Sequence, residues 1–198
     1  MESSTRCAFP ALPTTTKPGE LDDETPPGMT RLYQPAVSID GIMLRPAGHA
    51  DEAAFRRIYA EVRAPELAST GWSTVEKKQF CDAQYALQDE HYRRYYADFE
   101  PWAICCGDCV AGRLCLATFD GNLILMDISI AVSHRCRGIG TALLADVLRQ
   151  ADLLNHEVRL HVEPDNPAKR LYERLGFIEI GEAGIYQEMR RWPLSSAS

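Results

Sequence analysis

Six consecutive residues, Arg135-Cys136-Arg137-Gly138-Ile139-Gly140, have the types and spacing to hold an anion. They follow an apolar run, Leu123 to Ile130, that reads as a strand, and lead into Thr141-Ala142-Leu143-Leu144, which reads as a helix start. Two glycines let the backbone approach a ligand closely and take unusual torsions. The helix that follows offers unpaired N–H groups and the positive end of its dipole. Such a turn suits phosphate best, and Arg135 and Arg137 add charge beside it. A dinucleotide fingerprint would need a third glycine where Leu143 stands, on the first strand of a βαβ unit. A P-loop would need Lys followed by Ser or Thr where Thr141-Ala142 stand. Neither pattern fits, so the stretch predicts some other phosphate-bearing cofactor.

A second segment lies downstream: Asp165-Asn166-Pro167-Ala168-Lys169-Arg170-Leu171-Tyr172-Glu173-Arg174-Leu175-Gly176-Phe177. The R-x-x-G-x-G pattern of Arg135, Gly138 and Gly140, together with this N-P-A-x-x-L-Y-x-x-L-G-F-like segment, resembles the GNAT superfamily of acyl-CoA N-acyltransferases. The order and separation of the two segments, with a helix and a strand between them, fit as well. The resemblance runs from about Ile42 to Trp192. It implies an α/β fold with a twisted mixed sheet flanked by helices on both faces. Two central parallel strands splay apart in that fold, and here these would be Leu123–Ile130 and Val158–Val162. The co-substrate implied is acetyl-CoA, with no metal. Backbone groups of Ile128, Ser129 and Ile130 would pair with the pantetheine arm. The loop Arg135, Cys136, Arg137, Gly138, Ile139, Gly140 and Thr141 would hold the pyrophosphate. Asn166 would touch the pantetheine, although Asn before Pro is also a good helix cap.

The resemblance makes Tyr172 the expected general acid. A phenol near sulfur can protonate or stabilise the thiolate that acyl transfer ejects; the bland alternative is a core tyrosine. The gap from Asn166 to Tyr172 is shorter than in some members. The base is less evident, because the strand where many members carry a Glu has none. Asp127 is the one acid between Leu123 and Ile130, and strict alternation puts it on a face with Leu125 and Ser129. His161 and Glu163, on or next to the following strand, are further candidates, although a lone strand His is commonly structural. An acceptor pocket is expected from the first two helices and the hairpin, segments that carry Glu61, Arg63, Trp72, Gln84, His91, Tyr92, Tyr95 and Tyr96. Most of these would also serve as an amphipathic helix face.

Composition narrows the function classes. The 198 residues are 45% hydrophobic, enough for one core, and the net charge of −7 disfavours a nucleic-acid partner. That charge also argues against a tRNA acceptor. No run is long and apolar enough for a membrane span, and the N-terminus lacks a signal pattern. Seven irregularly spaced cysteines suggest reduced thiols and a cytoplasmic location. Cys105-Cys106-Gly107-Asp108-Cys109 has the spacing of half a zinc site, but no second half occurs. Small apolar residues in a hairpin explain it better.

The elements that would position these groups follow from periodicity. Residues 1–38 are rich in Pro, Thr and Ser and read as a flexible extension, with Tyr33 among the residues that could dock. The domain is expected over 39–193, with a polar tail at 194–198. Ile42–Arg45 reads as a strand and Asp51–Val62 as a helix bearing Phe55, Ile58, Tyr59 and Val62. Ser73-Thr74-Val75-Glu76 is a capping box. It opens a helix to about Asp98, with Phe80, Ala83, Leu87, His91 and Tyr95 on its inner face. Trp102–Cys106 and Leu114–Phe119 flank a hairpin. Helices at 138–154 and 168–175 and strands at 177–180 and 185–189 complete the order. The function expected is acetyl transfer to an amine of a small molecule or peptide in a ternary complex. The alternative is a non-catalytic CoA-binding module. Edge strands near the C-terminus leave a homodimer open.

Overall fold

In the computed structural model, Tyr33 and residues 41–194 are described. Seven strands make one sheet: β1 (Ile42–Pro46), β2 (Glu100–Cys106), β3 (Cys109–Phe119), β4 (Asn122–Ile130), β5 (Val158–Val162), β6 (Ile178–Ala183) and β7 (Tyr186–Arg191). Their spatial order is β1-β2-β3-β4-β5-β7-β6. Every neighbouring pair is antiparallel except β4 and β5. The turns explain the hairpins. Asp120 and Gly121 both take positive φ, 52° and 73°, as a two-residue turn of the hairpin-matching hand requires. The β4–β5 connection needs a crossover instead, and α3 (Ile139–Leu153) supplies it.

Helices cover both faces. The first face carries α1 (Glu52–Arg63) and α2 (Thr74–Tyr95); the second carries α3 and α4 (Lys169–Arg174). α2 starts as its sequence dictates: Ser73 caps the Glu76 N–H, and the Glu76 carboxylate accepts from the Ser73 N–H at 2.8 Å. On α1, Phe55, Ile58 and Val62 are buried as their spacing predicts. On α2 the inner face differs from expectation. Cys81, Tyr85 and Tyr92 are buried, whereas Leu87 and Tyr95 are exposed. The tyrosines win because the sheet below is polar in places: Tyr92 Oη donates to the Met126 carbonyl at 3.4 Å, a bond no leucine can make.

The larger core lies between the sheet and α3/α4. It includes Leu44, Trp102, Leu114, Leu125, Ile128, Leu144, Val147, Leu160, Tyr172 and Phe177. Each fully buried aliphatic side chain there contributes about 1.5–3 kcal/mol. Tyr33 joins this core. It is buried, stands edge-on to Trp102 at 6.0 Å, and donates to Asp146 at 3.0 Å. The rest of the expected extension, and the tail beyond Leu194, lie outside the described residues. Arg191 closes the far end. Its guanidinium grips Asp152 at the end of α3 with bonds of 2.7 and 2.8 Å, tying β7 to that helix.

Candidate active site

The loop after β4 is built to present backbone donors. Cys136 and Gly138 have φ of 59° and 75°, the left-handed region. Gly138 is the N-cap of α3, and no side chain caps the helix. The first-turn N–H groups of Ile139, Gly140 and Thr141 therefore have no acceptor one turn back. A Cβ built on Gly138 would meet nothing within 4 Å, so the space above this backbone is open. These features fit a phosphate group. Arg137 lines a cavity of about 260 Å³ here, with Gly138, Ile139, Leu143 and Cys106. Arg135 turns inward instead: its Nε donates to the Ile130 carbonyl at 2.9 Å. Burial lowers its guanidinium from the usual range, and Glu61 opposes that shift. Glu61 in turn accepts from the Val132 N–H at 3.0 Å, fastening α1 to the start of the loop.

β4 and β5 pair at only three positions, Leu123 with Val158, Ile124 with Arg159 and Leu125 with Leu160. Beyond Leu125 they part, and the rest of β4 has an edge toward β5. Ala131 donates to Ala111 on β3 at 2.8 Å. By the alternation of an antiparallel ladder, Ile128 and Ile130 turn their backbone groups the other way, to that edge, while Ser129 faces β3. Two of the three expected pantetheine-pairing residues thus point to the gap.

Tyr172 is fully buried and stands edge-on to Phe177 at 5.7 Å, in the core that holds Leu125, Ile128 and Leu160 around the parting strands. Asn166, six residues before it, is buried, and its Oδ1 accepts from the Ala168 N–H at 2.9 Å, so the side chain organises the entry to α4.

Asp127 lies on the other face of the sheet. A β-bulge interrupts the β3–β4 register: Cys115 opposes Asp127, but Leu116 opposes Leu125, leaving Met126 extra. Leu125 packs on the α3 side and Met126 on the α2 side. The inserted residue reverses the alternation, so Asp127 shares a face with Ser129 but not with Leu125. Ser129 Oγ lies 3.5 Å from Asp127 Oδ2. On β5, Val158, Leu160 and Val162 point into the α3-side core, which puts Arg159 and His161 on the Asp127 face. Burial lowers the His161 pKa, Glu188 opposes that, and Arg190 adds to it.

A residue that the sequence reading missed organises this face. Arg113 is 2% exposed, with its guanidinium 5.7 Å from the Phe55 ring and 5.1 Å from the Tyr85 ring. Its Nε donates to Cys115 Sγ at 2.7 Å, and Nη2 lies 3.7 Å from Asp89 Oδ1. Burial works against its charge, and the Asp127 carboxylate supports it. Cys115, pushed up to about 12 chiefly by burial, is a neutral thiol at pH 7, so carboxylates hold the arginine. The available signal was a charged residue inside an apolar strand.

α2 has two flanks. One, with Tyr85, Asp89 and Arg93, lines a cleft of about 960 Å³ that also touches Ala47 and Pro101 near the β1 edge. Its rim is charged, and it opens at the opposite ends of β1 and β2 from the phosphate loop. The other flank carries Gln88 and His91. Gln88 Oε1 and His91 Nε2 are buried with no hydrogen-bond partner among the described residues. Burial also lowers the His91 pKa.

Residues 72–177, just over half the chain, match the acetyltransferase (GNAT) family, and the chain belongs to that family. No curated protein matches the sequence. Among solved structures, PaiA N-acetyltransferase from Thermoplasma acidophilum, in complex with coenzyme A, superposes with a TM-score of 0.60 at 18% identity, over 76% of this chain and 98% of that one. A GNAT family acetyltransferase from Elizabethkingia anophelis with acetyl-CoA bound gives 0.51 at 16% identity, over 78% and 99%. The ribosomal-protein-S18-alanine N-acetyltransferase of Escherichia coli gives 0.55 at 16% identity, over 79% and 97%. At these identities the likeness shows the fold. No helix among the described residues is long and apolar enough to cross a membrane.

Proposed function

We propose that the chain is an acetyl-CoA-dependent N-acetyltransferase that acetylates a primary amine of a small molecule or peptide by direct transfer in a ternary complex. The observation that carries this reading is the parting of β4 and β5 beside an uncapped α3 N-terminus. An extended amide chain can pair with Ile128 and Ile130 while its phosphate end sits on the N–H groups from Arg137 to Thr141. Acetyl-CoA would supply an acyl group activated as a thioester. The protein supplies position and proton transfer.

Tyr172 and Asp127 stand on opposite faces of the sheet, and the gap between β4 and β5 is the way between them. In the proposed reaction Asp127, directly or through water, takes a proton from the attacking amine, and Tyr172 gives one to the departing sulfur. The C–N bond forms as the C–S bond breaks. Arg113 keeps Asp127 in a charged setting on an otherwise apolar face. Gln88, His91 and His161 are the polar groups proposed to meet the acceptor. The reduced thiols suggest a cytoplasmic enzyme, and the edge strand β6 leaves room for a dimer. Neither a nucleic-acid nor a membrane partner is proposed.

The test is incubation with acetyl-CoA and a panel of amines and peptides, read by mass spectrometry for free CoA and acylated product. Amine-dependent product that is lost in Tyr172→Phe supports the enzyme. The complete burial of Tyr172 favours a second reading, a non-catalytic CoA-binding module. CoA retention without product across the panel would support that module.

A further inference from the structure

We propose that Cys106 and Cys109 form a reversible disulfide site across the β2–β3 hairpin, coupled to the phosphate-binding loop. The two residues are the last registered pair of the hairpin, directly opposite each other across Gly107-Asp108. Gly107 has φ of 58°, which makes the two-residue turn tight. Opposed residues of an antiparallel pair have Cα atoms about 4.5–5.5 Å apart, inside the range a disulfide spans. As directly opposed residues of an antiparallel pair, they send their side chains to the same face of the sheet.

Among the other described cysteines only Cys136 is exposed, and it stands in the phosphate loop with no cysteine opposite it in a strand pair. Cys81, Cys105 and Cys115 are buried. Cys109 is exposed, and Cys106 is partly shielded, packed against the α3-side core. This gives an order of events. The Cys109 thiolate attacks a low-molecular-weight disulfide such as oxidised glutathione, forming a mixed disulfide and releasing one thiol. The Cys106 thiolate then attacks Cys109 Sγ and releases the second thiol. Two electrons pass from the protein sulfurs to the small disulfide, and the two protons end on the released thiols. The loop closed is only four residues long, so the bond restricts the unfolded chain little and stays readily reducible.

The coupling comes from the cavity wall. Cys106 lines the same cavity of about 260 Å³ as Ile42, Arg137, Gly138, Ile139 and Leu143. Drawing its sulfur across to Cys109 removes packing from beside the first turn of α3, where the N–H donors are held. This part rests on the proposed reading of that loop as a phosphate site.

The experiment equilibrates the full chain with glutathione redox buffers, maps disulfides by peptide mass spectrometry, and measures CoA binding by calorimetry in each state. The expected result is a loss of about 2 Da assigned to a Cys106–Cys109 linkage. It should be absent in Cys109→Ser, retained in Cys136→Ser and reversed by dithiothreitol, with CoA bound several-fold more weakly when oxidised. Linkage of another pair, or no linkage in fully oxidised buffer, overturns the site. Equal CoA affinity in the two states overturns the coupling. Failure of the reduced protein to bind CoA would count against the proposed function and leave the disulfide result standing.

Discussion

Gly138→Ala separates the role of the phosphate loop from its conformational cost, provided it is paired with Gly121→Ala. Both glycines have strongly positive φ, 75° and 73°, and a Cβ at either would meet nothing within 4 Å. Each alanine must therefore hold a left-handed conformation at about 1–2 kcal/mol, with no clash in either case. For a domain of this size that lowers Tm by about 2–8 °C, equally in the two variants. The locations differ. Gly121 lies in the turn before β4, and Gly138 lies beyond its other end, about 26 Å of strand away at the usual rise per residue. The open space over Gly138 is where a phosphate would meet the donors of α3, so its methyl group holds the anion off. Losing one charge-assisted hydrogen bond costs about 1.5–3 kcal/mol, roughly a ten- to hundredfold rise in Kd. Calorimetry with CoA should show that rise for Gly138→Ala and an unchanged Kd for Gly121→Ala, with matched losses in Tm. If Gly138→Ala binds CoA like the wild type, or the two variants lose affinity alike, the loop is not the phosphate site.

Other consequences are equally direct. Tyr172→Phe should lower kcat by about 10²-fold or more with CoA affinity preserved, measured by product mass spectrometry and calorimetry. Gly112→Ala should destabilise the fold by about 1–3 kcal/mol in urea unfolding. Its Cβ would stand 2.5 Å from the Ser129 carbonyl and 2.9 Å from Ile104 Cδ1. Asp152→Asn should cost about 2 kcal/mol at pH 7, since it breaks charge-assisted bonds to Arg191. Arg191 chiefly holds the Asp152 carboxyl below its usual 3.8. That stabilisation is therefore present above about pH 4 and lost as pH falls through the lower folded value. The gap between wild type and Asp152→Asn in urea unfolding should narrow progressively as pH falls below about 4.

Much of this architecture was legible because local chemistry dictates it. The Ser73/Glu76 capping box starts α2 where expected, and the second parallel strand runs from Val158 to Val162 as predicted. The loop at Arg135–Gly140 does have an uncapped helix and left-handed residues. What escaped depends on contacts between distant segments. Leu87 and Tyr95 looked like the inner face of α2, yet Tyr85 and Tyr92 face the sheet, because the groups they meet come from β3 and β4. β3 starts at Cys109 rather than Leu114, since pairing with β2 continues to the turn.

The candidate base shows most plainly why alternation alone is insufficient. Period-two reading sends Asp127 to the Leu125 side, into the aliphatic core around Tyr172, where an ionised carboxylate would have no compensating charge. One inserted residue, Met126, sends it to the opposite face, beside Ser129 and within the field of Arg113. Arg113 itself is held by Asp127 together with Asp89, Tyr85 and Phe55, which arrive from the helices to surround it. The bulge and the buried arginine are thus two halves of one arrangement. Arg113→Met should therefore remove a neighbouring positive charge that favours the ionised form of Asp127. In the proposed reaction the acid limb of the kcat/KM–pH profile would then move upward. A profile that stays in place, in a variant that still folds, would show that Asp127 does not set that limb.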